Sequence, residues 1–119
     1  DLMSTGLPQQ IRIVEYLIRE SGYAPPIVDS NDVLANPSSM LRKLCDSAGI
    51  KFDDNMLSWE PGPRDCDGIW AKHWYDSVWG SSGFAPPSPR SGELHSSLSE
   101  VLEEAMPMYQ KLKDIRICD

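Results

Sequence analysis

Apolar residues recur every three or four positions along most of this chain, the spacing that gathers side chains on one face of an α-helix. Ile11, Val14, Leu17 and Ile18 form the first such series. It is entered at Pro8, whose missing N–H is tolerated at a first helical position, and Gly22 provides a left-handed stop, so a helix is predicted from Pro8 to Ser21. The run Pro26-Ile27-Val28-Asp29 that follows has the length and β-branched content of a buried strand, closing on polar Ser30-Asn31-Asp32. A lone strand cannot satisfy its own backbone groups, so its partners are expected to come from outside this sequence.

Asn36-Pro37 predicts the next helix, because Asn caps orphan N–H groups and Pro has the right φ. Met40, Leu41, Leu44, Cys45 and Ala48 line its apolar face up to Gly49, and Ile50 can fold back on the last turn. Asp53 or Asp54 is placed to cap a short turn carrying Met56, Leu57 and Trp59. The prolines and glycines of EPGPRDCDG then force a loop. A third helix is predicted from near Gly68, with Ile69, Trp70, His73, Trp74 and Val78 on its apolar face and Gly80 to Gly83 ending it. FAPPSPRSG reads as a surface linker or arm over 85–92. A last helix is predicted over 93–117, striped by Leu94, Leu98, Val101, Leu102, Ala105, Tyr109 and Leu112. Its glutamates sit near the start and Lys111, Lys113 and Arg116 near the end, the order a helix dipole favours, and Pro107 is expected to kink it.

Composition narrows the function classes. At 119 residues, 40% hydrophobic and 24% charged, the chain has the make-up of one small globular domain rather than of disorder. A net charge of -7 with no basic stripe argues against nucleic acid as a partner. No apolar run is long enough to span a bilayer, and the first ten residues lack the pattern of a secretory signal, so neither a membrane nor secretion is expected. Cys45, Cys66 and Cys118 form no C-x-x-C pair, and an odd number cannot close a full set of disulfides, which points to a reducing, cytoplasmic setting. The chain opens on Asp1 rather than methionine, which leaves room for residues upstream.

Candidate chemistry is sparse. Neither the phosphate-loop pattern G-x-x-x-x-G-K-[ST] nor the nucleophile elbow G-x-S-x-G occurs, His73 and His95 are isolated, and Cys66 stands between two aspartates with no second thiol nearby. No catalytic residue and no metal ligand is therefore assigned. Asp65 and Asp67, in a proline-glycine loop, read as solvated turn residues rather than an acid/base pair. The informative stretch runs from Met56 to Phe84 and holds all four tryptophans within 21 residues. Such rigid aromatic surface makes a packed corner or a pocket wall, and the helical spacing of Trp70 and Trp74 favours packing. Arg64 and Lys72 bracket the start of the third helix, where orphan N–H groups also favour an anion, while Asp65 and Asp67 oppose one.

The pieces PPIVDSNDVLANPSSMLRKLCDSAGIKFDDNMLSW and GPRDCDGIWAKHWYDSVWGSSGF, and more weakly EEAMPMYQKL, resemble the C-terminal part of a sulfotransferase-like P-loop family. Its members are found alone in bacteria and invertebrates and fused ahead of an aminotransferase-like domain in plants. The resemblance covers most of Ala24 to Leu112. It implies that residues 1–119 are a single partial domain, mostly α as present, cut from a three-layer α/β P-loop NTPase-like fold whose parallel sheet would supply the partners of Ile27 and Val28. It also implies transfer of a sulfuryl group from 3'-phosphoadenosine 5'-phosphosulfate to a hydroxyl or amine, with the phosphate loop, the base and the 3'-phosphate grip on an N-terminal half of the same fold. Carried across, the late loop that closes over the nucleotide corresponds to Arg64, Gly68, Trp70 and Lys72. Arg64 and Lys72 would supply charge to a phosphate, and Gly68 would permit close backbone approach. The alternative is a noncatalytic module that docks a protein partner through its tryptophan-rich corner or its last helix. A structural appendage to an aminotransferase would follow only from the plant fusions.

Overall fold

The computed structural model describes residues 1–88 and 92–118. Their regular structure is helical, in α1 (Leu7–Ser21), α2 (Ser30–Ala35), α3 (Pro37–Ala48), α4 (Ala71–Trp74), α5 (Asp76–Trp79) and α6 (Ser99–Asp114), with short 3-10 turns between them. They divide into two compact units, one made of Asp1–Ser30 with Ser88–Asp119 and the other of Asn31–Pro87.

In the first unit, Asp1 Oδ1 accepts from the Ser4 N–H at 2.8 Å and caps a 3-10 turn over Leu2–Thr5, which the apolar pattern is too short to reveal. The α1 helix then follows its predicted span closely. Gly22 ends it at φ 79°, its N–H reaching the Ile18 carbonyl at 2.8 Å, a left-handed stop that a side chain would strain. The α6 helix begins six residues later than predicted. His95 explains the delay, because its Nδ1 accepts from the Ser97 N–H and its carbonyl from the Leu98 N–H, which closes a 3-10 turn over Ser96–Leu98 first. Beyond that point α6 runs on through Pro107, with Glu100 in its first turn and Lys111 and Lys113 in its last. The α1 and α6 helices bury Val14, Ala105 and Leu112, and Lys111 pairs with Glu15 across them. Part of the predicted linker, residues 89–91, lies outside the described residues.

The predicted strand is a correction. Residues 26–29 are irregular, and among the described residues there is no strand. The Ile117 N–H donates to the Ile27 carbonyl at 2.8 Å, and the Tyr109 hydroxyl donates to Asp29 Oδ2 at 2.5 Å. A strand needs a ladder beside it, and the described residues offer none. Ser30-Asn31-Asp32, taken as the polar end of that strand, instead opens α2. The mostly helical content matches the expectation, whereas the parallel sheet of the α/β P-loop fold is not seen among the described residues.

In the second unit, α3 keeps its predicted caps. Asn36 accepts from the Ser39 N–H at 3.4 Å. Beyond Gly49 the Ile50 N–H reaches back to the Cys45 carbonyl at 2.8 Å while the Gly49 N–H bonds to Asp46, the reciprocal pair that closes a helix on a left-handed glycine. Asp53 caps the 3-10 turn Asp54–Leu57 by accepting from the Asn55 N–H at 2.9 Å. Met40, Cys45 and Ala71 are the buried apolar side chains here, with Met56 Sδ 3.9 Å from Cys45 Sγ. The predicted third helix is a second correction, since it is two single turns, α4 and α5, broken at Tyr75. Its apolar face is not packed either: Ile69, Trp70 and Trp74 are 79%, 69% and 76% exposed. Four-residue turns are too short to bury an i, i+4 stripe, so the spacing of these aromatics overstated the helix.

Candidate functional site

The four residues implied by resemblance lie in and just after the loop that crosses from Glu60 to Trp70. The loop is folded by backbone bonds at two places. The Gly62 N–H donates to the Trp79 carbonyl at 2.8 Å, and the Asp67 N–H donates to the Arg64 carbonyl at 3.0 Å, closing a four-residue turn. Within that turn Asp67 Oδ2 accepts from the Arg64 N–H at 2.8 Å and from the Trp79 indole Nε1–H, also at 2.8 Å. One carboxylate oxygen thus fastens both ends of the turn to the α5 side chain behind it.

Trp79 is itself braced. Its ring meets that of Tyr75 edge-on with 6.5 Å between centroids. The neighbouring Trp59 donates through Nε1 to Ser81 Oγ at 3.0 Å, its N–H bonds to the Ser82 carbonyl at 3.0 Å, and its ring packs edge-on against Phe84 at 5.4 Å. An antiparallel bridge between Ser58 and Gly83 completes this floor. The two half-buried indoles each have an acceptor, as a desolvated N–H requires, whereas the exposed Trp70 and Trp74 can be served by water.

On this floor the Arg64 side chain is exposed, and its Nη2 donates to the Glu60 carbonyl at 3.2 Å. Lys72 is exposed on α4. Among the described residues neither cation makes an ion pair. Gly68 follows the turn at φ 73°, a conformation that disfavours any side chain, and a Cβ built there would meet nothing within 4 Å, so its backbone is open to approach. Trp70 touches the His73 ring at 6.3 Å and otherwise faces outward. The structure therefore places Arg64 in the braced turn, Gly68 directly after it, and Trp70 and Lys72 on the following segment.

The aspartates need separate accounts. Asp65 is exposed in the turn, as a solvated turn residue should be. Asp67 is not one. The Trp79 indole first, and then the Arg64 N–H, hold its carboxyl below the usual carboxylate range, because both donors favour the ionised form. The positive charge of Arg64 also favours the ionised form, so Asp67 stays negative beside that cation. The dipole expected at the start of a third helix is a weaker contributor than the spacing suggested, since α4 is a single turn. Among the described residues no three His, Cys, Asp or Glu side chains come together as a metal site, and no helix is long and apolar enough to cross a membrane.

The chain matches the sulfotransferase domain family over residues 19–116, a span that contains all four candidate residues and their Trp79 support, and it belongs to that family. It is 34% identical over 111 residues to branched-chain-amino-acid aminotransferase-like protein 1 of Arabidopsis thaliana, covering 93% of this chain and 20% of that protein. With branched-chain-amino-acid aminotransferase-like protein 2 of the same plant it shares 34% identity over 108 residues, 91% of this chain and 19% of the relative. The chain thus spans about a fifth of the length of these curated relatives. No solved structure matches it.

Proposed function

We propose that this chain is the C-terminal portion of a cytoplasmic sulfotransferase that moves the sulfuryl group of 3'-phosphoadenosine 5'-phosphosulfate to a hydroxyl or amine, acting together with an N-terminal half that carries the phosphate loop. The observation that carries this reading is the braced turn at Arg64. It orders the backbone of Arg64, whose guanidinium makes no direct ion pair among the described residues, and the open backbone of Gly68 and then Lys72 follow it along the chain. Those features suit a phosphate, which is held by positive charge and backbone N–H groups rather than by a nucleophile. When bound, the donor would bring the transferable sulfuryl group, and the part of these residues is to hold its nucleotide. Arg64 and Lys72 supply charge, Gly68 permits close approach, and the exposed Trp70 ring offers a face to a base.

Titration of adenosine 3',5'-bisphosphate into the intact polypeptide tests the proposal. Arg64→Ala should weaken binding by roughly 10- to 100-fold, the loss of one charge-assisted hydrogen bond of about 1.5–3 kcal/mol. Absence of binding, or binding indifferent to Arg64→Ala, refutes it.

The exposure of Ile69, Trp70 and Trp74 favours a second reading, a noncatalytic module that docks a protein partner through this corner. The residues upstream of Asp1 separate the two. A G-x-x-x-x-G-K-[ST] loop or a close variant there supports the enzyme, and a full-length chain with no glycine-rich phosphate loop supports the docking module.

A further inference from the structure

We infer that Asp67 is a positioning residue for the anion site, acting through Arg64 by tying the Arg64–Asp67 turn to the Trp79 indole. The inference rests on the proposed role of Arg64 and adds to it a residue that neither charge nor chemistry would nominate, since a carboxylate next to a phosphate subsite ordinarily weakens it. Geometry reverses that expectation. Asp67 Oδ2 accepts two hydrogen bonds at 2.8 Å, one from the backbone of Arg64 itself and one from α5, and the Asp67 N–H returns a bond to the Arg64 carbonyl. Arg64 is thereby fixed at both its N–H and its C=O by one residue. Its guanidinium starts from a set backbone position, so less conformational freedom is lost when an anion binds. Trp79 extends the brace, because its carbonyl also receives the Gly62 N–H two residues ahead of Arg64. A side chain that reads as a competing charge is therefore committed to holding its neighbouring cation in place.

A double-mutant cycle in the intact polypeptide tests this, with adenosine 3',5'-bisphosphate as the probe and calorimetric Kd as the readout. Asp67→Ala and Trp79→Phe, the second of which keeps the ring and removes only the donor, should each weaken binding by roughly tenfold, the size of one lost charge-assisted hydrogen bond. Asp67→Asn, whose amide oxygen can still accept, should recover part of that loss. In an Arg64→Ala background the same changes should have little further effect, because residues that act through one another are not additive. The Trp79 indole N–H resonance, shifted in the parent by its acceptor, reports the clamp without any ligand and should move in Asp67→Ala while circular dichroism shows the helices retained. If Arg64→Ala weakens binding and the Asp67 and Trp79 variants do not, the clamp is wrong and the anion site stands. Tighter binding in Asp67→Ala, or equal losses with and without Arg64, also overturns the clamp. If Arg64→Ala itself changes nothing, the site reading fails and the positioning role fails with it.

Discussion

Truncating Met40 tests whether the second unit has a real core. Met40 is 1% exposed, and its buried apolar companions in that unit are Cys45 and Ala71. Met40→Ala removes three heavy atoms. The lost transfer free energy is about 1–1.5 kcal/mol, and a residual cavity of roughly 70 Å³ at about 24 cal/mol per Å³ adds about 1.7 kcal/mol. Alanine's better helix propensity returns only a few tenths of a kcal/mol within α3. The expected destabilisation is therefore about 3 kcal/mol, a large share of the roughly 5–15 kcal/mol that holds a domain together. Urea unfolding followed by circular dichroism measures it, with Met40→Leu as a volume-conserving control expected to lose less than about 1.5 kcal/mol. A Met40→Ala loss below about 1 kcal/mol would refute the packing described.

Two further outcomes follow from local geometry. Gly49→Ala meets no atom within 4 Å of the new Cβ, so only the left-handed φ of 66° opposes it, and equilibrium unfolding should show a loss of about 1 kcal/mol. Because Asp67 has its folded pKa depressed, its contribution is fully present above the ordinary value of 3.8 and is lost as pH falls through the lower folded value. The Trp79 indole resonance should accordingly hold its position from neutral pH down to that range and shift only below it, and a shift centred above the ordinary carboxylate value would contradict the clamp.

Much of the helical framework was legible because its signals are local. Pro8 with Gly22, and Asn36-Pro37 with Gly49, mark helix ends through φ preferences and orphan N–H groups within a few residues, and α1 and α3 end where those markers stand. Single 3-10 turns and short helices such as α2 leave too few residues for any periodicity to show. The stretch from Ile69 to Val78 misled in the opposite direction, because helical spacing over ten residues says nothing of whether a partner surface exists to bury the stripe, and Tyr75 breaks it. Ile27 and Val28 have strand composition, yet a strand is a property of a pair, and the described residues provide no neighbour. At the site, resemblance nominated Arg64, Gly68, Trp70 and Lys72, while Asp67 was dismissed as solvated. A half-buried indole must find an acceptor, so Trp79 held a clue, but no sequence spacing says which of several nearby oxygens it takes.

The braced turn also bears on the choice between the two proposed functions. A docking surface built from Ile69, Trp70 and Trp74 draws on apolar area and needs only that those rings be presented. Nothing in such a role calls for Arg64 to be fixed at both its N–H and its C=O, for Gly62 to be tied to the same tryptophan, or for Gly68 to hold a positive φ with empty space above it. A phosphate site would draw on this order, since a cation placed in advance loses less freedom on binding, and with the Gly62, Arg64 and Asp67 N–H groups already spent within the loop the anion would be left to the Arg64 and Lys72 side chains. The two surfaces are also contiguous in sequence, and Lys72 lies on α4 between the exposed Trp70 and Trp74, so covering the aromatic corner would exclude water from its surroundings. Exposed tryptophans beside an ordered turn are consistent with the proposed lid, whose apolar flank would meet the rest of the fold while Arg64 and Lys72 would meet the nucleotide.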